Sequence, residues 1–409
     1  MSRVLVLAST FPRWSGDTQP RFVLDLCKEL SQDHEIIVLS PHCAGAQIDE
    51  TLEGIRVLRF RYAPERFESL TYGGGMTSQI RSNRLRALLL PFFFASMLFR
   101  TIKLLRHAEI DVIHAHWAIP QGVVAVLSRY LCRASVKILT TCHGADLHAL
   151  QSSPWVALKR CVFRKSDAIS VVSRAMEKKA LEIDASVSYK LKIIPMGVDL
   201  KKVFVRRSDF DLRDRQKLVF VGRLVEKKGL SYLLDALPAI KMRYPEVSLS
   251  IAGDGPLRAS IEDKISSLGL DKSVELLGSV LQSELPDLYS TAAAAVFPFI
   301  VASDGDQEGL GLVVVEAQGC ECPIVATSLP SLQDTMLDEQ RKWLASPADA
   351  GSLAKAIIEL LDQDESITRS AARTARVKAL NRFDWSVIGQ SYSDLIEGLA
   401  VNRRIDYNA

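Results

Sequence analysis

At 409 residues, with 48% apolar and 24% charged side chains, the chain is long enough for two domains and is neither disordered nor fibrous in composition. Its net charge of +3 hides a division: residues 1–195 carry 26 Lys and Arg against 17 Asp and Glu, and the remainder carries 25 against 31. A basic front half points to an anionic partner, and the lack of any nucleic-acid-binding signature or basic recognition helix argues against nucleic acid.

Along the chain, residues 3–8 read as a strand and 22–30 as a helix, with further strands expected at 35–39, 57–60, 112–115, 137–141 and 168–172. Residues 84–106 read RLRALLLPFFFASMLFRTIKLLR, whose uncharged core, 87–99, is 13 long. That falls short of the ~20 residues needed to cross a bilayer. Arg81, Arg84, Arg86, Arg100, Lys103 and Arg106 bracket it. Such a stretch suits a helix lying on an anionic membrane surface or lining a groove for a lipid tail. It equally suits a helix buried against a sheet with its arginines reaching for solvent.

A break is expected near 195–216, where Pro195, Gly197 and a charge-rich run fall together. The strand–helix alternation then restarts, with strands at 217–221, 248–252, 274–277, 294–298 and 324–326 and helices at 230–242, 257–268, 284–289 and 311–320. Apolar strands alternating with helices predict an α/β protein of two doubly wound parallel sheets. Ligands of such sheets bind beyond the carboxyl ends of the strands, so the loops that follow strands are where chemistry is sought. The seven scattered cysteines predict free thiols in a reducing cytosol, and Met1 leads into an apolar strand without a secretory leader. Cys320 and Cys322, a close pair without further ligands, read as small buried hydrophobes.

The most informative loop runs from Ser303 to Glu308 and opens a helix near Gly311. The early amides of that helix, among them Leu312 and Val313, form an anion site for a diphosphate or a sugar hydroxyl. Gly309 and Gly311 allow close backbone approach. Glu308 precedes the helix and can accept from sugar hydroxyls, while Glu316 lies within it and can accept from a ribose. A helix-terminus carboxylate and an exposed helical position are the plain alternatives. In Gly222-Arg223-Leu224-Val225-Glu226-Lys227-Lys228-Gly229, Arg223 and Lys228 can bracket a diphosphate and neutralise a leaving group. A solvated basic loop is the alternative there. Gly253, in the turn after 248–252, is placed to border a ligand. In the front half, Thr141-Cys142-His143-Gly144-Ala145-Asp146 brings His143 to the end of a strand, although a histidine satisfied in the core is the commoner case. Gly16, in the turn after the first strand, could let the backbone approach a phosphate, and His114-Ala115-His116-Trp117 forms a third such loop. Asp304-Gly305-Asp306 looks like a metal-holding Asp-x-Asp pair, but Arg223 and Lys228 already offer the compensating charge, so no metal is expected.

Together these segments resemble glycosyltransferase family 4, retaining enzymes of GT-B architecture with two Rossmann-like domains facing across a cleft. Glu308 and Glu316 are similar to the family's E-x7-E pair, residues 222–229 to its G-R-L-x-x-x-K-G loop, and His143 to Asp146 to its H-G-x-D segment. Ala252 to Pro256 matches its AGDGP turn, and Pro195 to Asp199 its P-N-G-V-D, with Met196 for Asn. Two departures stand out: Ser328 to Asp334 replaces a Gly-Gly-x-Pro-Glu loop, and Gly16-Asp17 replaces Gly-Gly. The resemblance implies an acceptor-binding domain at 1–195, a donor-binding domain at 196–383, and a final helix within 384–400 crossing back onto the first.

The same resemblance implies catalytic roles for His143, Arg223, Lys228 and Glu308. It implies substrate contacts for Gly16, Asp146, Gly253, Val280, Gly309, Leu310, Gly311, Leu312, Val313 and Glu316. The function expected is transfer of a hexosyl-type unit, with retention, from a UDP- or GDP-linked sugar to a saccharide or polyprenyl-linked saccharide in bacterial envelope polysaccharide synthesis. No cofactor or metal is expected, because the nucleotide sugar is itself a substrate. The expected setting is cytoplasmic, with peripheral contact at the inner membrane. A sugar-nucleotide 2-epimerase and a noncatalytic nucleotide-sugar-binding component are the alternatives.

Overall fold

The computed structural model describes residues 1–17, 19–72, 75–207 and 214–408. Part of the expected break, 208–213, and the side chain of Arg81 lie outside the described residues. The chain forms two compact units, Met1–Met196 with Trp385–Ala409, and Gly197–Asp384.

The first unit is built on an eight-stranded sheet, numbered in chain order and arranged β3-β4-β2-β1-β5-β6-β7-β8. Its strands are β1 (Arg3–Leu7), β2 (Glu35–Pro41), β3 (Asp49–Leu52), β4 (Ile55–Phe60), β5 (Val112–His116), β6 (Lys137–Cys142), β7 (Ala168–Val171) and β8 (Leu191–Ile193). All pairings are parallel except β3 on β4. Val4 to Leu7 are fully buried, as expected of a central strand covered on both faces. Sequence reading missed β3 because Asp49, Glu50 and Thr51 are polar. It is an edge strand, where charge is tolerated, and Arg56 and Arg59 on β4 pair with Asp49 and Glu50.

The helix Phe22–Leu30 buries Val23, Leu24, Leu26, Cys27 and Leu30 on one face. Beside it, and against β5 and β6, packs the final helix, Trp385–Asn408. At Gly389 the two helices approach so closely that an added Cβ would lie 2.8 Å from that of Glu29. The helix Leu90–His107 accommodates Pro91 in its first turn and buries Phe93, Met97 and Thr101. Phe93 and Met97 belong to the core formed with Leu5, Leu39, Phe60 and Ile113.

The second unit has a six-stranded, all-parallel sheet in the order β11-β10-β9-β12-β13-β14. These strands are β9 (Asp214–Val221), β10 (Ser248–Ala252), β11 (Val274–Gly278), β12 (Ala292–Phe297), β13 (Ile324–Thr327) and β14 (Leu344–Ala345). On one face, Leu218, Phe220 and Val296 pack with Leu233, Leu237 and Ile240 of the helix Leu230–Arg243.

The apolar stretch of the first unit differs in one respect from the reading of its sequence. Counted by helical residues instead of uncharged ones, Arg84–His107 is 24 residues long and contains an 18-residue window of mean hydropathy 1.7, enough by length and composition to cross a membrane. Its burial is one-sided: Phe93, Met97 and Thr101 are committed to the domain, whereas Leu85, Leu88, Phe92 and Phe99 are 63–71% exposed.

Candidate active site

In the second unit, the residues singled out from sequence follow the carboxyl ends of adjacent parallel strands. Arg223 and Lys228 follow β9, Gly253 follows β10, Val280 follows β11, and Glu308 and Gly311 follow β12. Lys228 Nζ donates to Glu308 Oε2 at 2.7 Å, with side-chain exposures of 11% and 17%, so this is a largely desolvated ion pair. The ammonium also lies 4.2 Å from the centre of the Phe299 ring. The other carboxylate oxygen of Glu308 accepts from the amide of Gly311 at 3.3 Å.

Burial alone would raise the pKa of Glu308, but Lys228 and Lys227, with the Lys228 and Gly311 hydrogen bonds, hold it at about 2. Glu316 is in the opposite condition. Burial pushes it up to about 7, only partly offset by Lys228 and by the hydroxyl of Tyr289, which donates to Glu316 Oε2 at 3.4 Å. Arg223 is half-buried, and desolvation, opposed in part by Asp306, depresses its pKa.

Two further contacts tie the loops together. Glu226 accepts from the Ser303 amide and hydroxyl, both at 2.8 Å, and Lys227 pairs with Asp306 at 3.2 Å. Asp306 of the Asp-x-Asp segment is therefore engaged by a lysine. No cluster of three metal-ligating side chains occurs among the described residues.

Backbone demands explain the glycines. Gly311 has φ +79° and precedes the helix Leu312–Gly319; an added Cβ would meet Leu332 Cδ2 at 2.7 Å. Leu332 comes from the segment that replaces the Gly-Gly-x-Pro-Glu loop. The amides of Leu312 and Val313 open that helix, which is where backbone donors lack intrahelical partners. Gly309 and Leu310 are buried behind it, with the Leu310 carbonyl accepting from Thr335 Oγ1 at 3.2 Å. At Gly253 a Cβ would lie 1.9 Å from the carbonyl oxygen of Gly222, so close packing of two post-strand turns suffices to require glycine there. Val280 is half-buried.

In the first unit, His143 follows β6. Its ring lies 5.0 Å from Phe22 and 4.9 Å from Trp117, centre to centre, and near-parallel (13°) to His116. His116 Nδ1 and His143 Nε2 are 2.9 Å apart and share a hydrogen bond. Burial drives His143 down to about 3, with His114 adding to the shift, so the ring is neutral. The carboxylate of Asp146 accepts from backbone: Oδ1 from the amides of His143 (3.1 Å) and Gly144 (3.2 Å), Oδ2 from that of Ala118 (3.0 Å). In this structure Asp146 shapes the loop that presents His143.

Gly16 has φ +78° in a turn closed by Arg13 and Asp17, whose bidentate pair spans 2.7 and 2.8 Å. The fully buried guanidinium of Arg59 secures that turn by donating to the carbonyls of Pro12 (2.8 Å) and Arg13 (3.2 Å). Sequence reasoning missed Arg59, Tyr289 and Phe299. Each acts on a residue distant in sequence, so no local pattern marks it.

Two Rossmann-like units whose post-strand loops carry these groups define a GT-B glycosyltransferase. Solved structures of that fold are similar over nearly the whole chain. Sucrose-phosphate synthase from Thermosynechococcus elongatus has a TM-score of 0.78 at 21% identity, covering 98% of this chain and 100% of that one. Anabaena HepE in complex with UDP-glucose has a TM-score of 0.73 at 18% identity, covering 97% and 100%. Residues 19–202 match the family model Glycosyltransferase Family 4, and residues 206–377 match Glycosyl transferases group 1. The chain belongs to glycosyltransferase family 4. Among curated relatives, it is 26% identical over 408 residues to the GDP-mannose-dependent alpha-(1-6)-phosphatidylinositol monomannoside mannosyltransferase of Mycolicibacterium smegmatis, covering 97% of this chain and 98% of the relative. It is also 26% identical over 375 residues to the glycogen synthase of Mycobacterium tuberculosis, covering 87% and 84%.

Proposed function

We propose that this glycosyltransferase moves a hexosyl-type unit from a UDP- or GDP-linked sugar to a saccharide or lipid-linked saccharide acceptor, with retention and without a metal. The observation that carries the reading is the Lys228–Glu308 pair, a desolvated cation and anion beside the start of the helix that bears Glu316. A nucleotide sugar divides this pair usefully. Its diphosphate takes Lys228 and Arg223, its sugar hydroxyls donate to Glu308, and its ribose hydroxyls donate to Glu316. In the transfer, the bond from the anomeric carbon to the diphosphate oxygen breaks while the acceptor oxygen bonds to the same face. The acceptor's proton passes to the departing phosphate. Arg223, Lys228 and the amides of Leu312 and Val313 stabilise the charge that builds there. His143, being neutral, offers the sugar a hydrogen bond without competing for that charge.

Nucleotide release, measured for a panel of nucleotide sugars with and without saccharide acceptors, tests the reading. Acceptor-dependent release is expected. A modified sugar nucleotide formed from donor alone would mark a 2-epimerase. Stabilisation by donor with no release under any acceptor would mark noncatalytic binding. The cognate donor at 100 times its Kd should stabilise the fold by about 2.7 kcal/mol.

The acceptor side of the proposal rests on the helix Leu90–His107 and the turn before it. Exposed Leu85, Leu88, Phe92 and Phe99 stand beside Arg84, Arg100, Lys103 and Arg106, with no acidic residue between 69 and 108. This surface suits an anionic bilayer, with about 1 kcal/mol of attraction per basic residue. Flotation with phosphatidylglycerol vesicles but not with phosphatidylcholine vesicles is expected. Equal behaviour with both would remove the electrostatic part of the proposal.

A further inference from the structure

β5 and the first residue after β6 place three histidines in a row, and the hydrogens available along that row determine the tautomer of His143. At the inner end, the hydroxyl of Tyr392 on the final helix donates to the carbonyl of Ile194 (3.3 Å), an atom that can only accept. With that hydrogen spent, Tyr392 accepts from Ser170 Oγ (3.3 Å), and Ser170 in turn accepts from Thr141 Oγ1 (2.6 Å). The Thr141 oxygen, 2.7 Å from His114 Nε2, is left as an acceptor, so His114 carries its proton on Nε2. This agrees with a separate observation: His114 Nδ1 is buried without a partner among the described residues, as suits a bare ring nitrogen.

The next ring, His116, stacks on His114 at 4.2 Å between centres. Its Nε2 is likewise buried without a partner among the described residues, while its Nδ1 faces His143 Nε2 at 2.9 Å. A buried N–H with no acceptor is the rarer defect. The proton of His116 therefore sits on Nδ1 and is donated to His143 Nε2. With Nε2 accepting, a neutral His143 must hold its own proton on Nδ1, the nitrogen that among the described residues is neither hydrogen-bonded nor one of the sealed-in orphans.

We propose that His116 is a positioning residue that fixes His143 as its Nδ1–H tautomer, so that His143 presents a neutral hydrogen-bond donor to an oxygen of the bound substrate. The choice of the transferred sugar as that substrate rests on the function proposed above; the tautomer does not. Neutrality of all three rings accords with burial, which pushes His114 and His143 down to about 3 and His116 well below the ordinary histidine value. The free histidine side chain prefers the Nε2–H form, so the protein is imposing the less common tautomer on His143. The rings of Phe22 and Trp117 then hold its plane.

Long-range proton–nitrogen correlation spectra of the ligand-free, histidine-labelled full chain, with His143 assigned by its loss in a His143→Gln variant, read the tautomer directly. A protonated Nδ1 and bare Nε2 are expected at His143. The Nε2–H form in the wild type would overturn the inference, and this readout needs no other variant to fold. His116→Phe keeps a stacked ring without its nitrogens. It should release His143 to the Nε2–H form and lower kcat about tenfold, with KM for the donor within twofold. His116→Asn, whose amide N–H can replace that of Nδ1, should restore both. An unchanged His143 tautomer in His116→Phe would also overturn the inference. A switched tautomer with unchanged kcat would leave the positioning intact and refute the sugar-facing role of His143.

Discussion

The two units answer the same need, polar groups at the carboxyl end of a parallel sheet, with opposite chemistry. In the first unit the groups are neutral imidazoles and hydroxyls that satisfy one another along β5, β6 and β7. In the second unit they are ions that cancel in pairs, Lys228 with Glu308 and Lys227 with Asp306. The contrast is instructive about cost. A buried neutral network is held in place by hydrogen bonds and needs no counter-charge, so it suits orientation. A buried ion pair can be opened by a ligand that brings its own charge, so it suits a site where an anion must bind and then leave.

The contrast can be broken at its charged end first. Lys228→Ala should lower turnover by about 10²–10³-fold, the usual loss when one group stabilising a developing oxyanion is removed. It also strands Glu308, so melting should fall with it. A Lys228→Ala, Glu308→Gln double variant should recover stability but not turnover. Parallel recovery of both would show that the lysine serves only the fold.

Next in size is Gly253→Ala, whose Cβ must displace the Gly222 carbonyl from 1.9 Å. About 3 kcal/mol of stability, or a melting point lower by roughly 10 °C, is expected in thermal unfolding. A normal melting point with weakened donor binding would instead make Gly253 a ligand contact.

Glu316 sharpens the comparison through pH. Its pKa is raised to about 7, so its carboxylate form is a minority at pH 6 and dominates at pH 8. Ribose hydroxyls need the carboxylate as acceptor. Affinity for a nucleotide sugar, whose phosphates do not titrate in this range, should therefore rise roughly tenfold from pH 6 to 8. Glu316→Gln should flatten that rise, which calorimetric titration at the two pH values can read. The sign for folding is the reverse. A carboxyl with a raised folded-state pKa contributes stability that is complete below about 4.5 and lost as pH rises through about 7. The smallest effect is expected from Tyr289→Phe, which removes a 3.4 Å hydrogen bond from Glu316. It should move the midpoint of the same pH profile upward and weaken binding at pH 7 by a few-fold. A downward shift would mean that the tyrosine disfavours the charged form.

Much of this was legible without coordinates, because the informative features are local. Strand-then-loop order placed Arg223, Lys228, Glu308 and His143 beyond carboxyl ends of parallel strands. The strands themselves were marked by unbroken apolar runs such as Val4 to Leu7. The elements that escaped include β3, with its charges paired across an edge, and the short strands β8 and β14, whose stabilisation is not local, as well as the helices Ala350–Leu361 and Glu365–Phe383.

By itself, then, the sequence determined the two-sheet architecture, the family, and which loops carry charge, since each follows from periodicity or from residues close together in the chain. Tertiary structure alone decided how those residues are electrically disposed. Only packing brings Lys228 onto Glu308 across 80 residues, buries Glu316 beside Tyr289 so that its proton is held to about 7, and lines up Tyr392 with Ser170, Thr141 and His114. Desolvation and hydrogen-bond direction depend on every neighbour in space, and a linear chain does not name those neighbours.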